Sequence, residues 1–527
     1  MRLSAGSPEA VKVWYQGQLS RFSGIGDTVK SVFDQMGCGT TDFNAPANTR
    51  LRNLSDKNNQ LGLVRWSKVY AHPVKNKWDL TGDEIKRLAG QRSLHCVSIV
   101  GGGEHVRFYL EEYFSACDLS GSLPKKGYLL RVQSTTWWRN LLNRECKRRT
   151  EQSLRCLGLV SRHGGLYVSN YTFAGWVEQQ RRAALMLQDA TLTDTSTGES
   201  ISLADAAGSS VSDLEKRRAE LMTRISGCES VATKAGLKPI FLTLTCPSKF
   251  HVFSGSTLNE NYQGLTPRDG SDYLNDNWKK IRAKLQRDGI PLYGLRIAEP
   301  HHDGCPHWHV LLFVDPSFKR QLLEVVRHYS LLEDGNEPGA LKHRVRIEEL
   351  NQENGAAGYV AKYVSKNVDG FAVDEDSEAP GMLSKDTALR VRAWASTWGI
   401  RQFQFVGNPS VTVWRELRRL AADENNPDCV QGDAVEVMES ADSGDWSEFT
   451  NLMGGHCAKR KETPIRPHYS TFTPVSGVQR VGAYDEVVKA IAGVMTASGV
   501  VISRWREWVL ILGRSRAPWP CVNNCMV

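Results

Sequence analysis

YGLRIAEPHHDGCPHWHVLLFV, residues 293–314, holds two apolar, strand-like runs on either side of a turn-forming segment centred on Asp303-Gly304. This arrangement predicts an antiparallel hairpin. Side chains alternate along a strand, so His307 and His309 share one face while Trp308 and Val310 point the other way, into a core. In such a hairpin Glu299 lies across from or diagonal to His307. Two imidazoles and one carboxylate then converge on a point. Three protein ligands leave coordination positions open, as a catalytic metal needs if it is to hold a phosphate and polarise it. Taken alone, His-x-His on a strand reads more simply as a hydrogen-bonded pair. The carboxylate and the turn favour a metal site.

Working outward, FLTLT (241–245) alternates with period two, placing Phe241, Thr243 and Thr245 on one face and Leu242 and Leu244 on the other, until Pro247 stops it. Residues 271–287, SDYLNDNWKKIRAKLQR, read as an amphipathic helix ended by Gly289. After Asn354-Gly355, GYVAKYVSK (358–366) has helical spacing. It puts Tyr359 and Tyr363 one turn apart on the same face, with Lys362 and Lys366 beside them. A tyrosine pair alone is usually a core ridge with its hydroxyls at the rim. Here lysines stand where apolar residues would continue that ridge. Phenol titrates near ~10, so a nucleophilic tyrosine needs help to lose its proton, and Lys366 is the candidate for that role.

The 527 residues carry 66 Lys and Arg against 58 Asp and Glu, a formal charge of +8 that suits a polyanionic partner without requiring one. The 12 cysteines are scattered, and the opening MRLSAGSPEAVKVWYQG lacks the apolar core of a signal peptide, so reduced thiols and a cytosolic protein are expected. No apolar run approaches the ~20 residues that span a bilayer, which excludes a membrane protein. Cys521 and Cys525 form a C-x-x-x-C with no second pair nearby, too little for a zinc site. No G-x-x-x-x-G-K-[ST] occurs, so no nucleotide motor is expected.

Two stretches look too polar and too rich in small residues to build a core, one at 189–213 and an acidic one at 422–448. They divide the chain into an N-terminal region (1–188, with a basic helical segment at 137–188), an α+β domain (214–421) and a C-terminal accessory region (449–527). In WWRNLLNRECKRRTEQSLRCLGL (137–159), Arg144, Lys147, Arg148 and Arg155 would share one helical face, either a solvated stripe or a surface for duplex DNA.

FLTLT, then Glu299 with PHWH, then YVAKYVSK, in that order, resemble the three motifs of the HUH endonucleases. Within that superfamily, two tyrosines separated by three residues, with a lysine three further on, look like the replication gene A proteins of bacteriophages. TLTCPSKFH (243–251), RIAEPHHDG (296–304), WWRNLLNRECKRR and the late VNNC extend the likeness, which is strongest over 137–420. The resemblance implies a central antiparallel sheet with helices on one side. It also implies a divalent ion, Mg²⁺ ahead of Mn²⁺, on Glu299, His307 and His309, with Tyr359 and Tyr363 as nucleophiles and Thr243, Thr245 and Lys362 beside the DNA. The implied activity is nicking of a phage origin through a 5′-phosphotyrosyl intermediate to start rolling-circle replication in the cytoplasm of a bacterial host. Host helicase and single-strand-binding protein would supply the unwinding. A phosphotyrosyl ester keeps the energy of the broken bond, so a later 3′-hydroxyl can reverse the step without ATP. Competing readings are a two-tyrosine rolling-circle transposase, a metal-dependent nuclease that activates water, and a non-catalytic DNA-binding regulator. The transposase would bring a fused helicase or zinc domain, neither of which is found.

Overall fold

The computed structural model describes residues 65–66, 73–74, 78, 80–162, 164–254, 257–350, 355–371, 375–376, 379–423 and 430–512. The Cys521/Cys525 pair lies outside them. The chain divides into two compact units. One runs up to Val160 and includes Ser169–Thr172 and Gln479–Val488; the other holds Ser161–Val168, Phe173–Val478 and the residues from Lys489 on. No helix among the described residues is long and apolar enough to cross a membrane.

The first unit is built from helices α1 (Gly82–Gly101), α2 (Val106–Ala116), α3 (Tyr128–Val132) and α4 (Thr135–Cys156). Thr81 and Glu84 form a reciprocal capping box that starts α1. Trp138 is fully buried among Ala89, Phe114 and Leu142, and its indole N–H donates to the Val132 carbonyl at 2.7 Å. The basic helical segment expected over 137–188 is interrupted. Gly158 adopts φ +81° and closes α4 with bonds from Gly158 N to Arg155 O and from Leu159 N to Leu154 O, and a separate helix follows at Asn170–Asp189. The basic stripe is also corrected. Arg155 is only 1 % exposed, and burial lowers the pKa of Lys147, so the four cations do not form one solvent-facing row. Periodicity places side chains on a helix face but does not say whether that face meets water.

In the second unit, helix α5 (Leu214–Lys234) leads into strand β1 (Lys238–Thr245), helix α6 (Pro267–Arg287) and the hairpin of β2 (Tyr293–Pro300) and β3 (Pro306–Val314). Helix α7 (Lys319–Leu331), strand β4 (Val345–Glu349), helices α8 (Ala356–Val368) and α9 (Ser384–Trp398) and strand β5 (Phe403–Val406) follow. The five strands form one antiparallel sheet in the order β4-β1-β3-β2-β5. In the hairpin turn Gly304 has φ +80°, and the Asp303 carboxylate accepts the Cys305 N–H at 3.0 Å, as the turn formers predict.

Helices cover both faces of this sheet, not one. Phe241, Leu295, Leu311 and Phe313 pack toward α5, α8 and helix α10 (Val411–Ala421). Leu242, Leu244, Trp308, Val310 and Leu312 pack toward α6, α7 and α9. Every residue of β2 and β3 is buried. The run HVLLFV is apolar at odd and even positions alike, which suits a strand enclosed on both sides.

Both stretches expected as linkers carry secondary structure among their described residues. Residues 190–194 and 200–202 form strands in one sheet with Trp508–Leu512, and Leu203–Gly208 is a helix. The small polar residues serve the turn between the strands, where Asp194 accepts the Ser196 N–H at 2.8 Å. The acidic stretch holds helices α11 (Ala434–Asp442) and α12 (Trp446–Leu452). Ala434, Val437 and Ala441 recur at helical spacing and enter the same core as Trp414, leaving Glu436 and Glu439 outside it. Trp446 wedges against Trp414 and Phe449 at ring separations of 5.0 and 5.2 Å.

Gly227 on α5 permits that wedge, because a Cβ there would stand 2.6 Å from the Trp446 Cβ. Gly227→Ala gains about 1 kcal/mol of helix propensity but overpacks a closed site at a cost of about 1–3 kcal/mol. Net destabilisation is the expected outcome, read as a lower thermal midpoint. An unchanged or higher midpoint would show that Trp446 can retreat.

Candidate active site

The hairpin register sets Glu299 directly opposite His307, and β1 sets Thr245 against His307 and Thr243 against His309. His307 Nε2 and His309 Nε2 are 3.0 Å apart, and His309 Nε2 is 3.8 Å from Glu299 Oε2. Among the described residues these three side chains form the one group whose donor atoms all lie within 4.8 Å of one another. They open into a cleft of about 880 Å³ lined also by Tyr359, Tyr363 and Lys366.

The triad is chemically suited to a divalent cation. Burial, reinforced by neighbouring cations and histidines, holds His307 well below the usual imidazole range and takes His309 down to about 3, so both rings are neutral donors. Thr243 Oγ1 shares a hydrogen bond of 3.1 Å with His309 Nδ1, which orients the ring and leaves Nε2 facing the cleft. Thr243, expected beside the DNA, lines the cleft and supports a histidine, and the Thr245 hydroxyl, also at the cleft, donates to the His343 carbonyl at 2.7 Å. His307 Nδ1 is buried with no hydrogen-bond partner among the described residues.

These shifts have a consequence for stability. Unfolded imidazoles titrate near ~6.5, so below that pH the unfolded chain binds protons that the folded site refuses. The stability due to neutral His307 and His309 is therefore complete above pH ~6.5 and is lost as pH falls toward the folded values, by at most about 1.4 kcal/mol per histidine per pH unit. In excess chelator the thermal midpoint should fall between pH 6.5 and 5.5, and His309→Gln should flatten that slope. An equally steep slope in the variant would remove His309 from the account.

Helix α8 carries the two phenols. Its first amides, at Ala356 and Ala357, are capped by the Glu229 carboxylate of α5 at 2.5 and 3.1 Å. Tyr359 and Tyr363 both pack on Phe241, edge-on at 4.9 Å and stacked at 5.2 Å, and their rings are 5.9 Å apart. Tyr363 also lies 4.2 Å from the His309 ring. The Tyr359 hydroxyl donates to Glu348. Burial, more than any neighbour, raises the pKa of both phenols. Lys362 Nζ stands 4.1 Å from the Tyr359 ring centre and 4.9 Å from that of Tyr363. Lys366, expected to assist a phenol, has its Nζ 3.4 Å from Glu299 Oε2 and 5.3 Å from the Tyr167 ring. Its charge faces the carboxylate of the triad.

Asn367 escaped the sequence reading. Its amide donates to Glu299 Oε1 at 2.5 Å and to the Tyr363 carbonyl at 2.7 Å, while Gln402 Nε2 donates to Asn367 Oδ1 at 3.1 Å. A signal existed: Asn367 continues the four-residue spacing of Tyr359 and Tyr363, so it had to share their face.

Residues 123–371 match the family described as bacteriophage replication gene A protein (GPA). The chain is 37 % identical over 421 residues to the replication gene A protein of Escherichia phage 186, covering 75 % of this chain and 59 % of that one. It is 36 % identical over 509 residues to the replication gene A protein of Escherichia phage P2, covering 90 % and 66 %. With a probable replication endonuclease from a prophage-like region of Salmonella paratyphi A it shares 31 % identity over 424 residues, covering 75 % and 52 %. The chain thus spans about half to two thirds of the length of these curated relatives. No solved structure matches it. With this match over the segment that carries the triad and both tyrosines, the chain belongs to the bacteriophage replication gene A protein family.

Proposed function

We propose that this chain is a DNA endonuclease and strand transferase of the HUH type, which nicks one strand at a phage replication origin and retains its 5′ end on tyrosine to start rolling-circle synthesis. The observation that carries this reading is the packing of two phenols on Phe241, with Tyr363 4.2 Å from a histidine of the triad. A tyrosine oxygen attacks the phosphorus, the bond from phosphorus to the 3′ oxygen breaks, and that oxygen leaves with a proton. Glu299, His307 and His309 would hold a divalent ion, Mg²⁺ or Mn²⁺, whose contribution is to polarise the phosphate. Lys366 offsets the Glu299 charge, and Lys362 adds positive charge over the phenols where the backbone must lie. The name of the prophage relative, a probable replication endonuclease, supports a nucleic-acid-cleaving activity for this chain too. Strand separation is assigned to host helicase and single-strand-binding protein, in the cytoplasm of the bacterial host.

The test is single-stranded DNA covering the cognate origin, labelled on the 3′ side of the nick and denatured after incubation with the protein and metal. Label retained on the protein, and lost in excess chelator, is the expected result. Cleavage without retained label would replace this reading with a water-activating nuclease, and full activity in chelator would remove the metal.

A further inference from the structure

The two phenols have different surroundings, and the difference runs across the sheet. Strand β4 pairs with β1 so that Arg346 lies against Thr243 and Glu348 against Phe241, the residue on which both tyrosines pack. Being two apart on a strand, Arg346 and Glu348 share the face that looks into the cleft, and both line it. The Glu348 carboxylate is divided between two tasks. Its Oε1 is 3.0 Å from Arg346 Nε, while its Oε2 accepts the Tyr359 hydroxyl. The Glu348 side chain is 27 % exposed and the Arg346 side chain 72 %, so the pair sits at the mouth of the cleft. Tyr363 faces His309, and its hydroxyl is hydrogen-bonded to Tyr359 and not to a carboxylate.

We infer that Glu348 is the general base of Tyr359 alone, held in place by Arg346, and that the two nucleophiles of this site are therefore activated by different groups. This rests on the proposed tyrosine chemistry. As Tyr359 Oη bonds to phosphorus, its proton passes to Glu348 Oε2, the bond from phosphorus to the 3′ oxygen breaks, and the departing oxygen takes a proton from solvent. In the return step a 3′-hydroxyl attacks the phosphotyrosine and releases its proton to solvent, the bond from phosphorus to Tyr359 Oη breaks, and Glu348 gives a proton to the departing phenolate. The arrangement of nucleophile, base and a third group orienting the base is the general pattern of an activated side chain. The charged and titratable groups facing Glu348 are Arg346 on its own strand and Tyr359 and Tyr363 on α8, with Lys362 over the two phenol rings; its neighbour on β1, Phe241, is apolar.

Two backgrounds isolate the tyrosines: Tyr363→Phe reports adducts through Tyr359, and Tyr359→Phe reports adducts through Tyr363. Adding Glu348→Gln keeps a hydrogen-bond acceptor but removes the base. In the first background it should slow adduct formation by about 10²-fold at neutral pH. The residual rate should also climb about tenfold per pH unit toward the phenol's own titration, where the parent levels off. In the second background, adduct yield and pH profile should be unchanged, which also shows that the variant folds. Equal losses through both tyrosines, or an unaltered rate and profile through Tyr359, would overturn the inference. If Tyr363→Phe alone forms no adduct while Tyr359→Phe does, Tyr359 is not a nucleophile and Glu348 has no proton to take, although the strand-transferase reading survives. Absence of adducts in every background, the unsubstituted chain included, sinks that reading as well.

Discussion

Replacing both tyrosines, Tyr359→Phe together with Tyr363→Phe, is expected to eliminate every covalent protein–DNA adduct down to the detection floor of a denaturing gel. Phenylalanine keeps the packing on Phe241 but lacks the attacking oxygen, so the loss should come with no more than the small fall in thermal midpoint that removing the Tyr359–Glu348 hydrogen bond brings. Each single replacement should leave some capacity for one cleavage, because the remaining phenol packs on the same ring within one helical turn. Neither should complete a cycle in which one tyrosine holds the 5′ end while the other cuts the regenerated origin. The two rates should differ, with Tyr363→Phe the slower chain, since Tyr363 is the phenol beside His309. If one replacement removes all adduct and the other leaves repeated cleavage and circle closure intact, one member of the pair is only a packing residue.

The second large effect is expected from the histidines. His307→Ala or His309→Ala should reduce nicking on the order of 10³-fold or more, the loss that follows when several kcal/mol of charge stabilisation at the phosphate disappear. The fold should survive. Both rings point into the cleft face, while the residues between and after them, Trp308 and Val310, carry the core on the opposite face. Truncation also removes a buried imidazole whose solvation is poor, which offsets part of the lost packing. Nicking assays against Mn²⁺ and Mg²⁺ titrations would show whether raised metal restores activity, as it should when one ligand of three is missing. A cooperative loss of structure in either variant would instead make these histidines part of the core.

Much of this site was legible because its geometry is local. Period-two alternation put His307 and His309 on one face, Asp303-Gly304 closed the hairpin that brought Glu299 opposite, and a four-residue spacing aligned the tyrosines. What escaped depends on strand order and burial. Glu348 reaches Tyr359 only because β4 returns to the outer edge of β1, a pairing across about a hundred residues that no spacing announces. Arg155 looked like a surface cation because helix periodicity does not distinguish water from protein on its far side. The acidic stretch at 422–448 reads as a linker on composition, while its described residues include helices. Apolar residues within it, among them Ala434, Val437, Ala441 and Trp446, are spaced to meet a core that lies elsewhere in the chain. The helices on both sheet faces were written in HVLLFV, whose neighbouring Leu311 and Leu312 enter opposite cores.

Helix α8 is pinned at both ends, and this limits how the two tyrosines can trade places. Glu229 grips its first two free amides, and at the far end Asn367 ties it to Glu299 on β2 and is itself gripped by Gln402. Sliding the helix by one turn, about 5.4 Å, would bring Tyr359 to the place of Tyr363 but would tear both moorings, one of them on the carboxylate of the triad. In the proposed cycle the exchange would therefore be left to the side chains and the DNA: χ1 rotation of a phenol, or a shift of the phosphate between two phenol rings 5.9 Å apart. The helix is a stator, and only what it carries turns over. Amide hydrogen exchange along 360–367 should accordingly stay equally slow whether DNA is held through Tyr359 or Tyr363, and accelerated exchange in one of the two adducts would mean that the helix itself moves.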